Sequence, residues 1–176
     1  AARLSGSSDI GVAYFGDGAC EEGVVHESLN LASIQKTPVL FVVENNLFAS
    51  HMHISQRQPQ AATARFAAAN GIPYRIVDGN DVVSVATAAR ELVSLARKGE
   101  GPGFLEAVTY RWYGHVDWRE DIDVGVSRSQ NDVDLWRARD PIRRLYLALI
   151  NAGFWTESLH QDLESEIKKQ VERSWQ

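Results

Sequence analysis

The sequence predicts an α/β fold in which a parallel sheet is flanked by helices and followed by C-terminal helices. Three observations carry this. Four short apolar runs alternate with stretches of helical periodicity, as in strands joined by crossover helices. The helical stretches end where helices stop, at Gly71 with Pro73 beyond it and at Gly99. The first apolar run passes through a glycine turn directly into a helix-like stretch.

In chain order, residues 11–15 read as the first strand, and residues 16–18, Gly-Asp-Gly, as a turn opening a helix over 21–35. The run Val39-Leu40-Phe41-Val42-Val43 is the second strand, closed by Asn45-Asn46. An Ala-rich helix is expected over 60–70, a strand over 74–77, an amphipathic helix over 81–98 and a strand over 104–110. After Gly114 the chain turns polar. Residues 115–131, with Arg119-Glu120-Asp121 and Arg128, show no sustained apolar period and read as a long loop at the sheet edge where ligands bind. Asp140-Pro141 starts a helix that ends near Gly153, and a last amphipathic helix starts at Thr156. These form a C-terminal helical segment, 132–176.

With 176 residues, 44% hydrophobic and 23% charged, the chain is expected to build one domain, 1–176. A net charge of -5 and scattered Lys and Arg argue against nucleic acid as a partner. No apolar run approaches 18 residues, and the N-terminus lacks the layout of a signal peptide, so no membrane association is expected. A single cysteine, Cys20, cannot form an internal disulfide, and a reducing, cytoplasmic compartment is expected.

The chemistry concentrates at the glycine turn and, after 26 intervening residues, at Asn45-Asn46. The turn offers backbone N–H groups and a positive helix end to an anion. A bare carboxylate at Asp17 would repel a phosphate, whereas a divalent cation between them converts repulsion into attraction. Magnesium prefers octahedral oxygen ligation, which Asp17, an Asn amide oxygen, a backbone carbonyl, phosphate oxygens and water can supply. The competing reading is a dinucleotide-binding fingerprint, with Glu44 as the ribose-binding acid. Its third glycine would have to fall at position 21, which is Glu21.

Gly16-Asp17-Gly18 followed at this distance by Asn45-Asn46 resembles the thiamine diphosphate motif. The words GDGACEEGVVHESLNLASIQKTPVLFVVENNLFAS, VDGNDV, GPGFLEAVTYRWYGH and RARDPI are similar to the alpha subunit of the 2-oxo acid dehydrogenase decarboxylating component, the group of the pyruvate, branched-chain 2-oxo acid and acetoin enzymes. The resemblance covers nearly the whole chain. It implies a thiamine diphosphate-binding fold and decarboxylation of a 2-oxo acid with acyl transfer to a lipoyl-bearing acyltransferase. It implies a beta subunit that completes the site in an alpha2-beta2 heterotetramer. It implies metal ligation by Asp17, Asn46 and the carbonyl of Phe48, and diphosphate binding at Gly16, Gly18 and Ala19. His115, in Gly114-His115, resembles a histidine at the start of a loop over the cofactor that contacts the diphosphate and supports transfer to the lipoyl group. Val116 stands where mitochondrial members carry a phosphorylatable serine, which excludes that regulation at this position. The resemblance also places a further segment before Ala1 and a short tail after Gln176, so the chain is expected to be a truncated subunit. An acetoin-cleaving subunit, or an incomplete fragment acting as an interaction module, is the alternative.

Other residues carry plainer expectations. His51 and His53 alternate beyond the Asn pair and read as loop residues rather than metal ligands. His26 and Glu27 read as packing or subunit-contact residues. Cys20 reads as a small buried residue, although a helix N-terminus can lower a thiol pKa and make it reactive.

Overall fold

The structure, a computed structural model, describes residues 6–116 and 128–175. It divides into two compact units, Ala1–Ala138 and Arg139–Gln176.

In the first unit β1 (Gly11–Gly16) runs into a 3-10 turn (Asp17–Glu21), followed by α1 (Gly23–Gln35) and β2 (Val39–Asn45). A two-stranded hairpin, β3 (Phe48–Ala49) and β4 (Met52–His53), leads into one helical turn, α2 (Ile54–Arg57), and a short helix, α3 (Arg65–Ala69). Then come β5 (Tyr74–Asp78), α4 (Val82–Arg97), β6 (Gly103–Val108) and α5 (Gln130–Arg137). The four long strands form one parallel sheet in the order β1-β2-β6-β5.

The apolar runs of the central strands β2 and β6 are continuous because both faces are covered there, whereas Val12 and Tyr14 of β1 and Tyr74 and Ile76 of β5 stay exposed. Phe41, Val43 and Phe104 face one cluster, which takes Leu29 and Ala32 from α1 and Ala64, Ala67 and Ile72 from the segment around α3. Leu40, Val42 and Leu105 face the other, against Ala88 and Leu92 of α4. Register aligns the carboxyl ends of the strands in a row: Gly16 lies beside Glu44, Asn45 beside Val108, and Val108 beside Asp78.

That row is held by polar contacts. Glu106 is buried, at 1% exposure, in the middle of the sheet. One of its oxygens accepts from Asn45 Nδ2 (2.7 Å) and the other from the Ala64 N–H (2.7 Å). Asn45 Nδ2 also donates to the Ala61 carbonyl (3.1 Å), so the end of β2 and the crossing segment are pinned to β6. The next strand end is closed by the VDGND word. Asp78 accepts from the Asn80 N–H, Gly79 donates to the Val108 carbonyl (2.7 Å), and Thr109 donates to Asn80 Oδ1 (2.7 Å). A Cβ at Gly79 would meet the Val108 oxygen at 2.9 Å, so this tight crossing needs glycine. Asp81 caps α4 by accepting from the Val83 and Ser84 N–H groups.

The second unit is a helix pair, α6 (Pro141–Asn151) and α7 (Glu157–Ser174). Asp140 caps the first with Pro141 in its first turn, Gly153 at φ +73° ends it, and Thr156 caps the second. Tyr146 donates its hydroxyl to Glu157, which raises the phenol's pKa and lowers that of the carboxyl.

The structure departs from the expectations in four places. The Ala-rich helix expected over 60–70 is confined to α3, because residues 58–64 spend their groups on other partners: Gln58 on Glu21, Ala61 on Asn45 and Ala64 on Glu106. The helix expected from residue 21 starts at Gly23, after the 3-10 turn. The hairpin lies in a stretch read as loop, and α5 starts at Gln130, two residues inside the expected loop. Most of the 115–131 loop, including Arg119, Glu120 and Asp121, lies outside the described residues. Cys20 is fully buried in the core beside α1, and burial first, then the charges of Asp17 and Glu106, push its thiol from the ordinary 9.0 up to about 12. Helix-end activation of this thiol is therefore overruled by desolvation.

Two consequences are measurable. Replacing Glu106→Ala removes the acceptors of Asn45 and Ala64 and leaves a cavity, so the urea midpoint should fall by the equivalent of about 3 kcal/mol. Glu106→Gln keeps one oxygen acceptor and should lose less. Cys20 should react with a thiol reagent at pH 8 about a thousandfold more slowly in the native than in the unfolded chain, the ratio implied by a thiol near 12 against 9.0. Since the native state holds this thiol neutral, its contribution to stability is complete below about pH 9 and is lost as pH rises toward 12. Labelling followed by mass spectrometry, repeated across alkaline pH, checks both the rate and its direction.

Candidate functional site

The carboxyl edge of the sheet brings the first half of the motif against the second. Asp17 opens the 3-10 turn at the end of β1 and is 1% exposed. The turn packs against β3 and the end of β2. The approach is close: a Cβ on Gly18 would lie 2.7 Å from Ala49 Cβ, whereas a Cβ on Gly16 would meet nothing within 4 Å. Glycine at 18 is thus required by the hairpin lying on the turn, and the space beside Gly16 stays open.

The chain leaves β2 through two successive Asx turns. Asn45 Oδ1 accepts from the Leu47 N–H (3.1 Å) and Asn46 Oδ1 from the Phe48 N–H (3.1 Å). Between them Leu47 sits at φ +69° and, after the hairpin's first strand, Ser50 at φ +49°. Left-handed backbone at a leucine is uncommon and is held here by the flanking turns. The two asparagines have different work: Asn45 is buried in the Glu106 network, while Asn46 is half-buried at the edge with an amide oxygen that keeps a second lone pair.

Arg57 completes the site. Its side chain, 6% exposed, pairs through Nη2 with Asp17 Oδ2 and through Nη1 with Glu21, while Nε donates to the Met52 carbonyl (3.1 Å). Gln58 donates to the same Glu21 oxygen (2.7 Å), and Arg65 donates to Gln58. The second oxygen of Asp17 is buried and has no hydrogen-bond partner among the described residues. A buried carboxyl oxygen without a donor is costly, and a hard cation is the ligand such an oxygen suits. With Asn46 and the Phe48 carbonyl on the adjoining segment, the donor set is all oxygen, as magnesium prefers. Among the described residues no group of three or more His, Cys, Asp or Glu is arranged to hold a metal. Besides Asp17, a cation here would have to draw on an amide, a backbone carbonyl and oxygens brought by a ligand.

His115 is exposed beyond β6, and the segment before it is anchored to the hairpin and to α5. Arg111 donates to the Ser50 carbonyl (2.8 Å). The ring of Tyr110 meets Phe48 edge-on and stacks on Trp136 at 5.8 Å. Arg128, 5% exposed, donates to the carbonyls of Arg111 and Tyr113. Nothing described joins His115 directly to Asp17 or Asn46. His53 caps α2 by accepting from the Ser55 N–H, its ring against Phe48; His26 packs edge-on against Phe66 at 4.6 Å. A cavity of about 280 Å³ near Ser8, Lys36 and Arg97 lies at the opposite, amino end of the strands.

Arg57, Glu21, Glu106 and Arg128 were not identified as site or anchoring residues from the sequence. The one signal for Arg57 is indirect. Two acids in a turn under a hairpin require a buried counter-charge, but 40 residues of separation gave no local pattern to find it.

Residues 1–176 match the dehydrogenase E1 component family. The chain is 38% identical over 167 residues to the pyruvate dehydrogenase E1 component subunit alpha of Rhizobium meliloti, covering 94% of this chain and 47% of the relative. It is 38% identical to the 3-methyl-2-oxobutanoate dehydrogenase subunit alpha of Mycobacterium tuberculosis, with 96% and 45% covered. It is 33% identical to the pyruvate dehydrogenase E1 component subunit alpha of Acholeplasma laidlawii, with 97% and 49% covered. The chain thus spans about half the length of these curated relatives. With a match along its whole length, the chain belongs to the dehydrogenase E1 component family.

Proposed function

We propose that this chain supplies the diphosphate and magnesium half of a thiamine diphosphate site in an alpha subunit that decarboxylates a 2-oxo acid oxidatively and passes the acyl group to a lipoyl-bearing acyltransferase. The observation that carries this is the unpartnered buried oxygen of Asp17, beside Asn46 and Phe48 at the carboxyl edge of a parallel sheet. Asp17, Asn46 and the Phe48 carbonyl would hold the magnesium ion. Gly16, Gly18 and Ala19 would offer backbone to the diphosphate, with open space beside Gly16. When bound, thiamine diphosphate supplies the carbanion chemistry of decarboxylation.

The chain's own contribution is binding and orientation. Arg57 and the Asx turns fix the carboxyl and amide oxygens before the ligand arrives, which reduces the reorganisation needed on binding. His115, on an anchored segment, would contact the diphosphate and support transfer to the lipoyl group. The relatives' names divide between pyruvate and 3-methyl-2-oxobutanoate dehydrogenases, which supports a small 2-oxo acid as substrate. A beta subunit would complete the site in an alpha2-beta2 heterotetramer. Among the described residues no helix is long and apolar enough to cross a membrane, and a buried free thiol suits a reducing, cytoplasmic setting.

Calorimetry on the assembled alpha and beta subunits tests this. Magnesium-dependent binding of thiamine diphosphate is expected in the wild type. Asp17→Asn should weaken it by about a hundredfold or more, because the variant keeps the shape but loses the anionic ligand. Retention of wild-type affinity in Asp17→Asn, or binding indifferent to magnesium, would remove this reading in favour of an interaction module.

A further inference from the structure

We propose that Arg57 is the resident counter-charge of Asp17 and makes uptake of a divalent cation at this site conditional on the diphosphate. The proposal rests on the cofactor reading above and adds a residue that sets its order of binding. The guanidinium is almost wholly buried, with Asp17 on one nitrogen, Glu21 on another and the Met52 carbonyl on the third. An acid buried as deeply as Asp17 cannot stand alone at low cost, so Arg57 compensates it. Yet it takes one oxygen only, leaving Oδ1 unpartnered and buried.

A cation arriving at Oδ1 therefore meets a carboxyl whose charge is partly balanced, with a guanidinium a few Å away. The two positive charges repel in a poorly screened place. A diphosphate changes the sum. Its negative charges outweigh the guanidinium, so the cation is held far more strongly with the diphosphate than alone. Arg57 has a place to stay as Asp17 turns to the metal: Glu21 is one-third exposed and is held in addition by Gln58. The device is tied to the ligands themselves, because Arg57 ends the segment that begins with Asn46 and Phe48 and lies on Gly18 through Ala49. Linkage makes the effect reciprocal: whatever the diphosphate adds to cation affinity, the cation adds to diphosphate affinity.

The experiment is a titration of the assembled alpha and beta subunits with Mn2+, followed by its electron paramagnetic resonance signal, with and without thiamine diphosphate. Wild type should bind Mn2+ weakly alone and much more tightly with the diphosphate. Arg57→Gln should bind Mn2+ alone about tenfold or more tightly than wild type, from removal of one like charge, and should gain less from adding the diphosphate. Arg57→Lys, which keeps the charge though not the fork of donors, should still bind Mn2+ alone weakly, on the wild-type side of Arg57→Gln. Should Arg57→Gln fail to fold, Arg57→Met, of similar length and no charge, reads the same quantity. Equal affinity for Mn2+ alone in wild type and in the uncharged variants overturns the proposal while leaving the cofactor reading intact. Absence of Mn2+ binding in wild type even with thiamine diphosphate overturns the cofactor reading and this proposal with it.

Discussion

A carboxyl group in the centre of a parallel sheet has no solvent to turn to, so Glu106 must find its donors in the chain. It finds them on two neighbouring pieces of backbone, the end of β2 through Asn45 and the crossing segment through Ala64. The Ala61 carbonyl then closes on the same asparagine. Buried polar networks are costly when incomplete and specific when complete. This one fixes where the chain leaves β2 and where it rejoins the core, so the intervening residues 46–60 are held at both ends above the glycine turn. The hairpin, the cap at His53 and the buried anchor Ile54 shape that span. Phe48 and Arg57 reach the turn as a result. Removal of the Glu106 contacts would therefore be felt first at the ligand edge, before the packing of either face.

Electrostatics at that edge follow from what the sheet cannot avoid. Strand ends, a short 3-10 turn and two acids leave Asp17 and Glu21 with a shared need for positive charge. The nearest source is not α1, whose first residue is Gly23, but a side chain brought from the far end of the hairpin. A mobile point charge on a flexible stem would serve less well than a planar guanidinium, whose separate donors can face Asp17, Glu21 and the Met52 carbonyl at once. Arginine at 57 thus satisfies a geometric demand as well as a charge. The cost is that the site in this state is partly neutralised, which is why diphosphate and cation would need to arrive as partners.

Legibility in the sequence divided along the range of the interactions. Strands covered on both faces announce themselves as apolar runs, and caps such as Asp81 and Asp140 act within three residues, so the sheet, α4, α6 and α7 were readable. Asp17, Asn46 and the glycines stood out as candidates by motif and spacing, and the fold sets both halves of that motif at neighbouring strand ends. The elements that escaped depend on distant partners. Helix α3 is short because Gln58, Ala61 and Ala64 answer to Glu21, Asn45 and Glu106, each more than ten residues away. The hairpin has two residues a side, too few for any alternation to register. Helix α5 is short and largely polar, with Val133 buried, Trp136 on Tyr110 and Leu135 exposed, so no apolar period registers. For Cys20, the sequence offered a helix end and a burial as rivals, and magnitude decides: desolvation dominates over a terminal dipole of modest strength.

The same contrast separates structural from functional parts inside each family-like word. In the VDGND word the chemistry-bearing groups are spent locally: Asp78 and Asn80 lock the end of β5 to β6, Gly79 permits the contact, and Asp81 caps a helix. In the Asn-Asn pair the work is divided. Asn45 donates twice and accepts once inside the network, which leaves little capacity for a ligand. Asn46 accepts a single backbone N–H and stands at the edge. Two adjacent identical residues thus have opposite roles because successive side chains leaving a strand point to different sides. The outward one keeps acceptor capacity while the inward one holds the strand end still. A residue's identity within a motif consequently says less about its role than the direction its strand gives it.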